Sequence, residues 1–111
     1  MPEGDLFNEW LHRSIPGIRS VIPDAAFTAH YHDAEETYEL VIESKGHYPI
    51  HLGVLRSATF FTVFKAVVVL GVDEKTSQPV TRELNGTKQM GLLEILTIAR
   101  AAQESPDAEQ I

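Results

Sequence analysis

Residues 58–72 read ATFFTVFKAVVVLGV, and how this stretch folds decides what the rest of the chain must do. It carries one charge, Lys65, and its Val67-Val68-Val69 run has no polar position on which a wet face could fall. A strand with one face in water alternates polar and apolar residues, whereas an uninterrupted apolar strand is covered on both faces. Three adjacent β-branched residues also disfavour helix, so residues 67–72 are expected as strand. Two readings stand for residues 60–66: a short helix capped by Ser57, or the first half of one long strand. In either case a chain of 111 residues has few other elements to cover a second face. The surplus of apolar surface points to a partner, most simply a second copy. The expected interface is Phe60, Phe61, Phe64, Val67 and Val69, with Leu92 and Leu96 from the outer side of the last helix.

Upstream of this stretch, three segments alternate. Phe27, Ala29 and Tyr31 oppose Thr28, His30 and His32; Tyr38, Leu40 and Ile42 oppose Glu39, Val41 and Glu43; Tyr48, Ile50 and Leu52 oppose His47, Pro49 and His51. Each reads as a half-buried antiparallel strand. Residues 33–36 join the first two. Ser44-Lys45-Gly46 reads as a three-residue hairpin loop with Gly46 in the left-handed conformation. Downstream, a polar turn at 73–78 leads into a strand at 80–84, placed at an edge because Pro79 has no N–H to donate.

Helices close both ends. Asp5 is placed to cap a first helix with an apolar stripe of Leu6, Phe7, Trp10, Leu11 and Ile15, stopped by Pro16-Gly17. Thr87 is placed to cap a second, running to about Glu104, whose polar stripe is so narrow that it should pack against more than one surface. The expected fold is α+β: an N-terminal helix, an antiparallel sheet of about five strands, and a long C-terminal helix on the Tyr31/Leu40/Ile50 face. Residues 1–105 form one domain in this reading, and 106–111 a polar tail.

The composition narrows the function. Nine Lys and Arg against sixteen Asp and Glu leave a net charge of −7, which argues against DNA, RNA or an anionic membrane as partner and favours self, basic or neutral proteins. There is no cysteine, so thiol and disulfide chemistry are excluded. The longest apolar run, roughly 15 residues, is shorter than the 20 or so needed to span a bilayer. The MPEGDLF start lacks the basic-then-apolar order of a signal peptide, and a cytoplasmic setting is expected. No glycine-rich phosphate loop, nucleophile elbow or helix-borne zinc motif stands in the chain. Residues 24–43 carry six acids and no Lys or Arg. They read either as a solvated loop and strand face or as a docking surface for a basic partner.

Loop lengths allow a register to be written. A four-residue loop at 33–36 sets His30 against Glu39, and a three-residue loop at 44–46 sets Glu39 against His51 and Glu43 against His47. Both keep the apolar faces together, which a one-residue slip would not. Four of the five histidines then share one sheet face, with Glu39 flanked by His30 and His51. Two histidines and a carboxylate suit a divalent metal. The same row is equally a solvated face of cross-strand His–Glu pairs, or a contact surface sensitive to pH.

The segment His30-Tyr-His32-Asp-Ala-Glu35-Glu36 resembles the first metal motif of the cupin family, which implies His30, His32 and Glu36 as metal ligands. The closing glycine of that motif is displaced, and the second cupin motif has no counterpart near Pro79. With a short helix at 57–66, the element order is also similar to that of the small acidic dimeric chaperones of type III secretion. The leading expectation is a non-enzymatic binding, adaptor or chaperone-like module acting as a homodimer. The alternatives are a small metal-dependent enzyme or sensor on the histidine face, and a small-molecule binder with a pocket between sheet and C-terminal helix near Tyr31, Tyr38 or Tyr48.

Overall fold

The computed structural model describes residues 3–32, 36–57, 60–85 and 91–104, and the side chains of all of these except 3–5, 57, 60 and 85. The chain runs α1 (Glu3–Val21), β1 (Ala26–His32), β2 (Thr37–Glu43), β3 (Ile50–Ser57), β4 (Phe60–Val72), β5 (Pro79–Asn85) and α2 (Leu92–Glu104). The five strands form one antiparallel meander in the order β1-β2-β3-β4-β5. This is the expected α+β architecture. α2 packs on β4, and α1 packs on α2.

The core is one apolar layer between helices and sheet. The alternation of β2 and β3 puts Leu40, Ile42, Ile50, Leu52 and Val54 on the buried face, with Val63, Ala66 and Val68 of β4 beside them. Against that layer lie Phe7, Ile18 and Ile22 of the α1 segment and Ile95, Leu96 and Ala99 of α2. Phe7 stacks on Tyr38 with ring centroids 4.2 Å apart and meets Phe61 edge-on at 5.7 Å. Trp10 joins them 5.8 Å from Phe61. Such ring pairs add roughly 0.5–1.5 kcal/mol each beyond their buried area.

Two expectations need correction, and one open alternative is decided. α1 does not stop at Pro16-Gly17, and Asp5 lies inside it rather than capping it. Proline costs a helix one hydrogen bond, but here it sits on the exposed side. Continuing past it carries Ile18 into the core and leads on to Ile22, both fully buried. Gly17 allows the close approach of α2, since a Cβ there would stand 3.2 Å from a Leu93 methyl.

The second correction is the β2–β3 register. The strands are joined by residues 44–49, not 44–46, so Glu39 faces Gly53 and Val41 faces His51. The shift of two residues preserves which face each side chain takes, but it removes His47 from the sheet. Gly46 does take the left-handed conformation expected of it, with φ 80°. The longer loop is held from outside itself. The Lys45 N–H donates to Asp24 Oδ2 at 2.7 Å, Arg100 of α2 donates to Ser44 Oγ at 2.8 Å, and Gln103 Nε2 donates to the Tyr48 carbonyl at 2.6 Å.

Of the two readings that stood for residues 60–66, the long strand is the one found. β3 and β4 form a hairpin, so the middle helix of the secretion-chaperone order is missing. β4 is long and apolar because it changes phase. Its pairing with β3 shifts between Gly53 and Val54, leaving Phe64 as an extra residue, and its pairing with β5 shifts between Val69 and Gly71. A bulge inserts one unpaired residue and reverses which side chains face the core beyond it. The expected Thr87 cap and the tail at 106–111 lie outside the described residues.

Candidate functional site

The helices occupy one face of the sheet. The opposite face carries a groove of about 340 Å³, and every residue lining it belongs to a strand. Its polar end is built by β1, β2 and β3, which present His32, Glu39 and His51; its apolar end is built by β4, which presents Phe64, Val67 and Val69. Lys65, Thr81 and Pro79 complete the wall on the β4–β5 side.

Register explains the groove's shape. His30, Glu39, Gly53 and Lys65 stand in one row across four strands. The next row is Thr28, Val41, His51, Val67 and Glu83. Gly53 leaves a gap in the middle of the first row, and the Phe64 ring lies over it. A Cβ on Gly53 would come 2.8 Å from Phe64 Cζ. The bulge that frees Phe64 from pairing is what lets its ring fold onto the glycine. Lys65 Nζ sits 5.7 Å from the same ring's centroid, within cation–π range.

Glu39 is half-buried, with one carboxylate oxygen 3.4 Å from His51 Nδ1 and the other 3.9 Å from His32 Nε2. His30 faces Glu39 in the expected register, yet the side chains that reach the carboxylate are His32 and His51. The wide spacing across a strand pair favours this diagonal contact. Among the described residues no three His, Asp or Glu side chains converge on a point where they could hold a metal ion. The donor set of the metal reading is therefore not assembled: His30 stands apart, and the cupin-like Glu36 is exposed at a loop position with φ 53°.

The expected interface residues divide. Phe64, Val67 and Val69 are half-buried and together in the groove. Phe61 is spent on the Phe7–Trp10–Tyr38 cluster under α1. Leu92 packs partly into the core, and Leu96 is fully buried there, so Leu96 is unavailable to a partner. The side chain of Phe60 lies outside the described residues. Leu55 was not anticipated; it is 41% exposed on the open face of β3. Its signal in the sequence was the continuation of the 51/53/55 alternation beyond the point where the strand was expected to end.

Among the described residues, smaller hollows lie on the helix side. One of about 210 Å³ is bordered by Trp10, Ser14, Phe61 and Leu92, and one of about 170 Å³ by Phe7, His30, Tyr31 and Tyr38. Both fall below the 300–1,000 Å³ or so usual for ligand pockets. Of the acidic stretch, Asp24 accepts a hydrogen bond from the Lys45 amide and Glu39 lies beside two imidazoles; Asp33 and Glu35 lie outside the described residues. Among the described residues no helix is long and apolar enough to cross a membrane. No protein-family model, no curated protein and no solved structure matches this chain.

Proposed function

We propose that this protein is a non-enzymatic binding module, adaptor- or chaperone-like, that acts as a homodimer closed through the open face of its sheet. The observation that carries the reading is the one-sided sheet. Both helices pack on the face of Leu40, Leu52 and Val68, while Phe64, Val67, Val69 and Leu55 remain on the face that no described helix covers. An apolar strand central enough to pair on both edges, yet covered on one face, is stabilised by a second layer. A stable pair needs on the order of 1,200 Å² or more of total buried surface, which this face must supply mainly from β2, β3 and β4. Basic or neutral proteins suit the net charge of −7 as further partners. A cytoplasmic setting belongs to the same reading and rests on composition alone.

The test is Val67→Asp. A carboxylate placed in the centre of an apolar contact loses hydration without gaining a partner. Sedimentation velocity should show the wild type as a dimer and the variant as a monomer, with unchanged far-ultraviolet circular dichroism. A variant that associates as the wild type does would remove the open face from the account.

A further inference from the structure

Resting on the homodimer reading, we infer that the two copies pack their open faces about a two-fold axis running parallel to β3 and passing over Gly53, so that Glu39 of each copy meets the partner's Lys65. The inference comes from the polarity written along the two strands that flank β3. On this side of the sheet β2 carries Thr37, Glu39 and Val41 in order, Thr37 buried and the other two half-buried; β4 carries Thr62, Lys65 and Val67 at the matching rows, opposite Leu55, Gly53 and His51. Two of the three rows offer a matched contact: acid with base, and valine with valine.

A two-fold axis between two facing sheets must lie in the plane of the contact. Two directions are natural for aligned sheet packing, along the strands or across them. An axis along β3 lays β2 of one copy over β4 of the other. Glu39 then faces the partner's Lys65, and Val41 the partner's Val67, each twice. An axis across the strands lays each strand on itself. Passing through the Gly53 row, such an axis sets Glu39 against the partner's Glu39. Like charges directly opposite one another are costly. The pattern therefore selects the first axis.

Gly53 fits this placement. The axis passes over the place where the Phe64 ring fills the gap that Gly53 leaves. Facing sheets stand about 10 Å apart, a distance that extended Glu and Lys side chains bridge and short ones do not. Glu39 stands on this face with His51 and His32 beside its two oxygens. Lys65 is held on the same face by the Phe64 ring.

The experiment uses charge exchange on the full chain. Glu39→Lys alone and Lys65→Glu alone should each be monomeric by sedimentation velocity, because each places like charges opposite one another twice. An equimolar mixture of the two variants should recover the dimer, because Glu39→Lys in one copy then faces Lys65→Glu in the other and the unaltered pair remains. The double variant should also be dimeric. A second readout does not depend on charge. The chain has no cysteine, so Leu55→Cys supplies the sole thiol, placed on β3 close to the axis. A short bis-maleimide should link two copies through it. A wild-type dimer whose association is indifferent to the single exchanges, or whose mixture stays monomeric, overturns the axis while leaving the homodimer standing. So does a dimer in which Leu55→Cys is not linked. A monomeric wild type overturns both.

Discussion

Gly53 is the residue on which the open face turns. It is the one position of its row without a side chain, and Phe64 uses the space. Gly53→Val should displace the ring and strain the strand pair, lowering stability by about 1–3 kcal/mol as other insertions into packed sites do. Urea unfolding followed by Trp10 fluorescence measures this directly; a loss below about 0.5 kcal/mol would mean that the Phe64 ring moves aside freely. Asp24 is the second residue with a readable role. Its pKa is lowered below 3.8, chiefly by the hydrogen bond from the Lys45 amide. A depressed carboxylate contributes stability that is present above its unfolded value and lost as pH falls through its folded one. The stability advantage of wild type over Asp24→Asn should therefore shrink as pH is taken from 5 to 2, with the loss falling below about 3.8. Urea midpoints across that range check it, and a difference that stays constant with pH would assign the loop's position to Arg100 and Gln103 instead.

At the scale of elements, burial decides between the two sides of α2. Leu96 is fully buried and Leu93 is 45% exposed. Leu96→Ala should cost about 2–5 kcal/mol through the cavity it leaves, and Leu93→Ala less than about 1 kcal/mol. Equal losses in denaturant midpoints would contradict the packing of α2 on β4. The same elements show why some of the structure was legible in the sequence and some was not. The β1–β2 register followed from strict alternation on both strands and a four-residue loop, which together left one pairing that kept Leu40 inside. The β2–β3 register did not follow, because the shape of the 44–49 loop is set by Asp24, Arg100 and Gln103, residues distant in sequence whose approach depends on α2 being in place. Pro16 misled for a related reason. Its local cost is plain in the sequence, while the offsetting burial of Ile18 and Ile22 is a property of the assembled core. The bulge at Phe64 was hidden because a phase change inside an apolar strand leaves no break in the apolar run. The histidine row was legible as a face, but which imidazoles reach Glu39 was not: His30 stands opposite it in the expected register, while the diagonal His32 and His51 approach its carboxylate.

At the scale of the whole molecule, the chain is a two-layer protein with its sheet finished on one side. The apolar run that opens the reading of the sequence, Val67-Val68-Val69, divides in the fold: Val68 enters the core, while Val67 and Val69 line the groove on the far face. The central claim is that this far face is covered by a second copy. The most direct measurement is the molar mass of the wild-type chain in solution by multi-angle light scattering, taken across a dilution series from high micromolar concentration downward. The account predicts a mass twice the 12.4 kDa of one chain at the concentrated end, falling towards a single chain on dilution. A mass of one chain throughout, at every concentration measured, would contradict it.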